Sequence, residues 1–359
     1  ILTAIFTLLS LFIVSTFLLN FGFLHIRNLY LLEFILKQSS LSYLLLFSLR
    51  VIFKEIKIIK KKYCFIGSEE DFIKLKNICK QTSQDNLEDI ILFNKGKDIS
   101  NFDIIISKIE HIDIFLKDPY LRSKLFQHKK NIFTLTDWLE INLQRIPPEF
   151  IDFNKEYLTT TFYGLSEFNL KIKRLMDVVI SLIIITFTLP LILIIALLIY
   201  LEDFGPIIYY QKRNGFRGEI INIPKFRSMK VDAEKTGAVW ASKNDPRVTK
   251  VGKYIRAFRL DELPQLILVI TGKMSLIGPR PERPEIDKFL NKEILFYSFR
   301  YSVLPGLSGW SQVCYRYGSS LEDSKIKISY DFFYIKNYSL ALDLLIFFKT
   351  LKVILGAQK

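Results

Sequence analysis

A chain of 359 residues with a formal net charge of +14, half of it hydrophobic yet 24% charged, is neither a small single-core domain nor an acidic disordered one. The mixture suits a membrane protein with a substantial water-soluble part and anionic partners: phosphates, acidic lipid or nucleic acid. The three cysteines (Cys64, Cys79, Cys314) and three histidines (His25, His111, His128) have neither disulfide-framework nor zinc-ligand spacing, which points to reduced thiols facing the cytoplasm.

Residues 1–24 carry no charge and are long enough for a hydrocarbon core of roughly 30 Å. A second apolar region, 29–53, contains Glu33, Lys37 and Arg50 and reads as a second span or as a helix lying in the interface. The basic cluster Lys54, Lys57, Lys60, Lys61 and Lys62 puts its far end in the cytoplasm and favours the span. Residues 1–53 are therefore expected to be transmembrane helices. Because the chain opens at Ile1 inside an apolar run, that run is not read as a cleaved signal peptide, and further sequence is expected before it.

From Tyr63 short apolar runs alternate with polar helical stretches. Strands are expected at 63–66, 89–93, 103–106, 112–116 and 132–135, and a helix at 71–79, giving a small parallel, Rossmann-like α/β domain over 63–150. A dinucleotide site after Ile66 is disfavoured: Gly67-Ser68-Glu69-Glu70 has one glycine where the fingerprint needs three, and carboxylates where pyrophosphate would sit. A structural or regulatory module is the reading, with 151–170 as a linker.

Residues 178–200 form another uncharged apolar segment of spanning length, broken by Pro190 and basic on both sides: Lys171, Lys173 and Arg174 before, and Lys212, Arg213, Arg217, Lys225, Arg227 and Lys230 after. Charge at both ends favours a re-entrant helix that returns to the cytoplasmic face; a kinked full span is the alternative. Residues 339–355 alternate Leu, Ile and Phe with Asp343, Lys349 and Lys352, an amphipathic helix suited to core packing or to the lipid interface.

Chemistry concentrates in 256–284. Asp261 and Glu262 stand between Arg256, Arg259 and Arg280, with Pro264 expected in the first turn of a helix and a Gly278-Pro279-Arg280-Pro281 turn behind. A helix N-terminus favours an ionised Asp and a bound phosphate, and neighbours along a helix diverge by about 100°, so the two carboxylates should have different partners and roles.

Several motifs then occur in order. They are Lys173-Arg174-Leu175-Met176-Asp177 before the proline-broken helix, Gln211-Lys212-Arg213-Asn214-Gly215, Lys225-Phe226-Arg227-Ser228-Met229 and Asp245-Pro246-Arg247. Leu260-Asp261-Glu262-Leu263-Pro264-Gln265, Met274-Ser275-Leu276-Ile277-Gly278-Pro279-Arg280-Pro281 and Pro305-Gly306-Leu307-Ser308-Gly309-Trp310-Ser311-Gln312 follow. Over roughly 171–356 the chain resembles the bacterial sugar transferases, the monotopic phosphoglycosyl transferases. The first half is similar to the larger members, which normally place four membrane spans and a Rossmann-like domain before the catalytic part.

The resemblance implies a catalytic domain over 171–359 with a re-entrant helix at 178–200. It also implies transfer of a sugar 1-phosphate from a UDP-sugar to undecaprenyl phosphate with release of UMP, starting exopolysaccharide, capsule or O-antigen assembly on the cytoplasmic side of the bacterial inner membrane. Asp261 would be the nucleophile, forming an aspartyl-phosphosugar and contacting Mg²⁺, and Glu262 would support the second step. Arg256 and Arg280 match phosphate-binding arginines. Lys225, Arg227, Arg316 and Gln312 are further candidates for the substrate side, as are Trp310 and Tyr315. Membrane lipids and a homodimer are the other implied partners. Nucleic acid is not, for no recognition motif is present. Lys273 replaces a family carboxylate, Leu304 a family cation and Pro224 a common aromatic. Lys273 and Leu304 are the sequence support for the alternative, a catalytically silent membrane scaffold.

Overall fold

The computed structural model describes residues 62–80, 90–93, 101–108, 111, 117–127, 131–151, 166–231, 233, 245–315, 318 and 320–354. The expected spans at 1–24 and 29–53, the basic cluster at 54–61, the strand at 112–116, most of the linker at 151–170 and Arg316 lie outside the described residues.

The first part is a four-stranded parallel sheet of β1 (Tyr63–Ile66), β2 (Ile90–Leu92), β3 (Ile104–Ser107) and β4 (Asn131–Thr134) in the order β2-β1-β3-β4. Its helices are α1 (Glu69–Lys80), α2 (Pro119–Gln127) and α3 (Leu135–Leu143). The runs Ile104-Ile105-Ile106 and Tyr63-Cys64-Phe65 are buried on both faces, as central parallel strands require. Thr134 caps α3 through its hydroxyl, which accepts from the Asp137 amide at 3.1 Å.

The second part is organised around α4 (Glu167–Asp203), 37 residues long, or about 55 Å at 1.5 Å per residue. It stays helical through Pro190. Just before the proline, the Thr186 and Thr188 hydroxyls donate back to the carbonyls of Leu182 and Ile184 at 2.8 and 2.7 Å, a contact that bends helices. The most apolar window of α4 is 11% buried, and Phe187 is 82% exposed. By length and composition α4 is a candidate membrane helix.

Both ends of α4 are bonded to the same folded core. At its start, Lys173 Nζ reaches Asp343 at 2.6 Å and the Ile277 carbonyl at 3.1 Å. Arg174 donates to the carbonyls of Val269 and Ile270, and Asp177 accepts from Ser275 Oγ at 2.7 Å and the Leu276 amide at 3.2 Å. At its far end, Arg227 pairs with Asp203, the Lys250 amide donates to Glu202 at 2.8 Å, and Ile195 and Ile199 pack with Phe226 and Ile255.

That core contains the antiparallel pair β5 (Ile208–Asn214) and β6 (Ile220–Phe226), then α5 (Lys250–Ala257), α6 (Leu266–Ile270) and β7 (Ser275–Ile277). After these come α7 (Pro284–Glu293), β8 (Gly306–Ser308) paired in parallel with β7, α8 (Trp310–Cys314), α9 (Leu321–Lys336) and α10 (Leu340–Ile354). The helix expected at 339–355 is α10, with its polarity turned round. Asp343 and Ile346 are buried, and Lys349 lies 4.5 Å from the centre of the Trp310 ring. Leu344, Leu345, Phe348 and Leu351 face outward, 41–47% exposed. One face is core and the other is apolar surface.

Lys173 and Asp343 are both nearly dry, with side chains 7% and 10% exposed. Removing one partner of such a pair leaves a buried charge and costs about 3–5 kcal/mol, whereas replacing both with apolar residues is often neutral. Lys173→Met should therefore lower the unfolding temperature in detergent markedly, and adding Asp343→Leu should recover most of the loss. A double variant no better than the single one would show that the pair does not anchor α4.

Candidate active site

Thr249 caps α5, its hydroxyl accepting from the Gly252 amide at 2.9 Å. A Cβ at Gly252 would meet the Ser228 carbonyl at 2.1 Å, so only glycine lets α5 lie this close to the end of β6. Arg256 sits in the last turn of α5. Arg259 then takes a left-handed conformation (φ 55°, ψ 24°), a local cost of about 1–2 kcal/mol. It turns the chain into a 3₁₀ helix, Leu260–Gln265, whose first turn holds Asp261 and Glu262. The sequence expectation is corrected in one respect. Pro264 is the fifth residue of this 3₁₀ segment, and a separate α6 begins at Leu266. The proline offers no N–H to continue either ladder, which is why the two helices join there.

The two neighbouring carboxylates have unlike surroundings. Glu262 is buried and gripped by a fork: Arg280 Nη2 lies 2.5 Å from Oε1 and Nη1 3.3 Å from Oε2, with Lys225 Nζ 3.9 Å from Oε1. Burial alone would push Glu262 up, but Arg280 and then Lys225 outweigh it and hold the carboxyl at about 2. Asp261 is half-buried, and its carboxyl accepts a hydrogen bond from its own backbone amide. Burial, then the Glu262 charge, raise it above the usual carboxylate range, against the pull of Lys225 and Arg256. Lys225 is pushed down to about 8 by burial first and by repulsion from Arg280 second. The site thus gathers four cations, Lys225, Arg256, Arg259 and Arg280, about two carboxylates, one of which is already neutralised.

The Gly278–Pro284 loop that carries Arg280 is held on every side. Gly278 is pressed against the turn before β8, where a Cβ would stand 2.4 Å from the Leu304 carbonyl. The Arg280 carbonyl accepts from Arg300 Nη2 at 2.6 Å, and Arg300 is in turn fixed by Asp331 at 3.1 Å. Arg213 donates to the Pro281 carbonyl at 3.1 Å and Glu282 at 3.3 Å, while the Asn214 amide donates to the Glu282 carbonyl at 3.0 Å. Sequence reasoning does not single out Arg300, Arg213 and Asn214 as supports of the site. For the last two, the signal is the Gln211–Gly215 motif itself; for Arg300 no local pattern marks it.

Other sequence candidates are engaged elsewhere. Arg227 is turned away to the end of α4, bonded to Asp203 and to the Ile199 carbonyl at 3.3 Å. Gln312 is anchored at the Leu307 carbonyl at 3.4 Å, with no bond to the carboxylate pair. Trp310, 1% exposed, stacks on Phe333 and donates to the Gln144 carbonyl at 3.0 Å, so it is packing. Tyr315 donates to Asp323 at 2.8 Å. Lys273 lies just past α6, and Pro224 is buried in β6 opposite Tyr210.

Among the described residues there is no group of three or more His, Cys, Asp or Glu able to form a metal cage. The donor set still fits Mg²⁺ of the kind completed by substrate phosphates, which asks the protein for one or two carboxylates. Asp261 is the one left open by Arg280.

Fold and site together define a class: a mixed α/β protein built on one long apolar helix, with one buried and one half-buried carboxylate set among cations. The family model described as bacterial sugar transferase matches residues 168–357, and the chain belongs to that family. It is 51% identical over 185 residues to the UDP-N-acetylgalactosamine-undecaprenyl-phosphate N-acetylgalactosaminephosphotransferase of Aeromonas hydrophila, covering 51% of this chain and 44% of that protein. It is 40% identical over 188 residues to the UDP-glucose:undecaprenyl-phosphate glucose-1-phosphate transferase of Escherichia coli K12, covering 52% and 40%. The exopolysaccharide production protein PSS of Rhizobium leguminosarum bv. phaseoli is 35% identical over 188 residues, covering 51% of this chain and 94% of that one. The match thus spans half of this chain and under half of the first two relatives.

An ammonium near pH 8 makes anion binding pH-dependent with a definite sign. Inorganic pyrophosphate should bind more tightly to the wild type than to Lys225→Met at pH 7, and the ratio of affinities should shrink as the pH rises through about 8. A ratio that stays constant from about pH 7 to pH 9.5, measured by calorimetry, would show that Lys225 does not face the anion.

Proposed function

We propose that this chain is a phosphoglycosyl transferase of the cytoplasmic membrane, moving a sugar 1-phosphate from a UDP-sugar to undecaprenyl phosphate and releasing UMP. The observation that carries the reading is the unequal carboxylate pair: Glu262 gripped by Arg280, and Asp261 open beside it.

Direct reaction between two bulky phosphate anions is opposed by charge. A carboxylate nucleophile divides it into two displacements, so that one acceptor occupies the site at a time. In the first, an Asp261 oxygen attacks the sugar-bearing phosphorus, the bond to the bridging oxygen breaks, and UMP leaves. In the second, an oxygen of the lipid phosphate attacks the same phosphorus and the Asp261–phosphorus bond breaks. A carboxylate held above its usual pKa is the more basic nucleophile once ionised, which suits Asp261. Glu262, held at about 2, is a poor base at neutral pH while Arg280 grips it. Its contribution in this arrangement is to orient Arg280 toward phosphate, and support of the second step follows from that. Arg256 and Lys225 add charge around the diphosphate. Bound Mg²⁺, held by Asp261 and the substrate's phosphate oxygens, would supply further charge neutralisation.

The lipid acceptor keeps its phosphate at headgroup level. A helix tied at both ends to one core, apolar in the middle and carrying Pro190, supports entry and return on one bilayer face. The outward apolar face of α10 supports the same depth. Of the donors in the relatives' names, N-acetylgalactosamine belongs to the more similar sequence, 51% against 40% identical, and is the donor we expect.

Purified protein in detergent with Mg²⁺ and undecaprenyl phosphate should release UMP from one member of a UDP-sugar panel, UDP-N-acetylgalactosamine first. Asp261→Asn should reduce release by more than about a thousandfold. Normal turnover by that variant would remove the nucleophile, and no release from any UDP-sugar would favour the silent scaffold.

A further inference from the structure

The family match begins at residue 168, yet the core that carries the site is completed by residues well before it. Ile146 and Ile151, 1% and 8% exposed, belong to the same buried cluster as Leu266, Met274, Trp310 and Phe332. The chain around them is fixed by main-chain bonds. The Ile146 amide donates to the Ser329 carbonyl at 2.8 Å, and Trp310 Nε1 donates to the Gln144 carbonyl at 3.0 Å. Gln144 is left-handed (φ 52°), which turns the chain out of α3, and Pro147 and Pro148 lead it into a short 3₁₀ turn against α9.

Arg145, 2% exposed, joins the two parts directly. Its Nη2 donates to the Ile78 carbonyl, in the last turn of α1, at 2.9 Å, and its guanidinium lies 5.9 Å from the centre of the Tyr330 ring on α9. One turn earlier, Glu140 accepts from Lys336 Nζ at 2.6 Å and from Asn337 Nδ2 at 2.7 Å. Domains joined only by a linker meet through wet, polar borders and move. This border has two apolar anchors, a buried cation and two hydrogen bonds to main-chain carbonyls. Without the 140–151 segment, the indole N–H of Trp310 and the carbonyl of Ser329 lose these partners, a desolvation cost in each case.

We propose that the face of α8 and α9 formed by Trp310, Ser329, Tyr330, Phe333 and Lys336 is a docking surface for the chain's own 140–151 segment, and that the parallel α/β domain is thereby a permanently seated part of the catalytic core. The partner is defined by its chemistry: a helix end bearing a carboxylate, then an Arg-Ile-Pro-Pro stretch that offers one carbonyl and one amide. The docking does not depend on whether the site transfers a phosphosugar.

The test uses the full chain with a protease site introduced within 152–165, cleaved in the folded state in detergent and followed by size exclusion. The nicked protein should run as one species; halves that separate without denaturant would overturn the proposal. Ile146→Asp, which puts a carboxylate into the cluster, should let the nicked halves separate, and their retention in that folded variant would show that another surface holds them. Should Ile146→Asp fail to fold, charge reversal decides. In sub-denaturing urea, Glu140→Lys and Lys336→Glu should each speed separation by about fivefold, and the double exchange should slow it again. Equal rates in all three would remove the 140–151 segment as the docked partner.

Discussion

The fork between Arg280 and Glu262 is the contact on which the site depends. A carboxylate as buried as Glu262 stays ionised only if a cation meets it with good geometry. Arg280 does so at 2.5 Å, and much of the surrounding structure holds Arg280 in place. Gly278 lets the loop lie against the turn before β8, Arg300 takes the Arg280 carbonyl, and Arg213 takes that of Pro281. Because Glu262 occupies the arginine, Asp261 beside it is left out of the Arg280 fork. Two residues adjacent in sequence thereby acquire opposite pKa shifts, the usual mark of divided chemical labour.

The same logic of buried pairs holds both ends of the apolar helix. α4 exposes an apolar middle, yet Lys173, Arg174 and Asp177 at one end and Asp203 at the other are tied into the core by ions and carbonyls. Asp343 of α10 points inward for the same reason: it is needed by Lys173, which frees the leucines and phenylalanines of that helix to face outward. Polar groups inside and apolar groups outside is the pattern for a surface that meets lipid or another protein.

Much of this is legible in the sequence because it is local. Short apolar runs mark Tyr63–Ile66 and Ile104–Ser107, uncharged length marks α4, and the Asp261-Glu262 step between arginines marks the candidate site. The pairings are not legible, since they join residues far apart in the chain: Glu262 with Arg280 over 18 positions, Lys173 with Asp343 over 170. For that reason Arg227, in a motif that looks phosphate-binding, proves to be a clamp on the end of α4, and Trp310 proves to be packing against the preceding domain. Composition tells which residues are unusual, and only the tertiary fold tells which of them face each other.

Asp261, alone of the pair, is the residue expected to form a bond to phosphorus. The most direct test is the intact mass of the protein, mixed with Mg²⁺ and UDP-N-acetylgalactosamine in the absence of lipid and quenched in acid, followed by peptide mapping. One added phosphosugar is expected, mapped to Asp261 and discharged when undecaprenyl phosphate is supplied. An adduct on Glu262, or lipid-dependent UMP release with no adduct at any time, would contradict that division of roles.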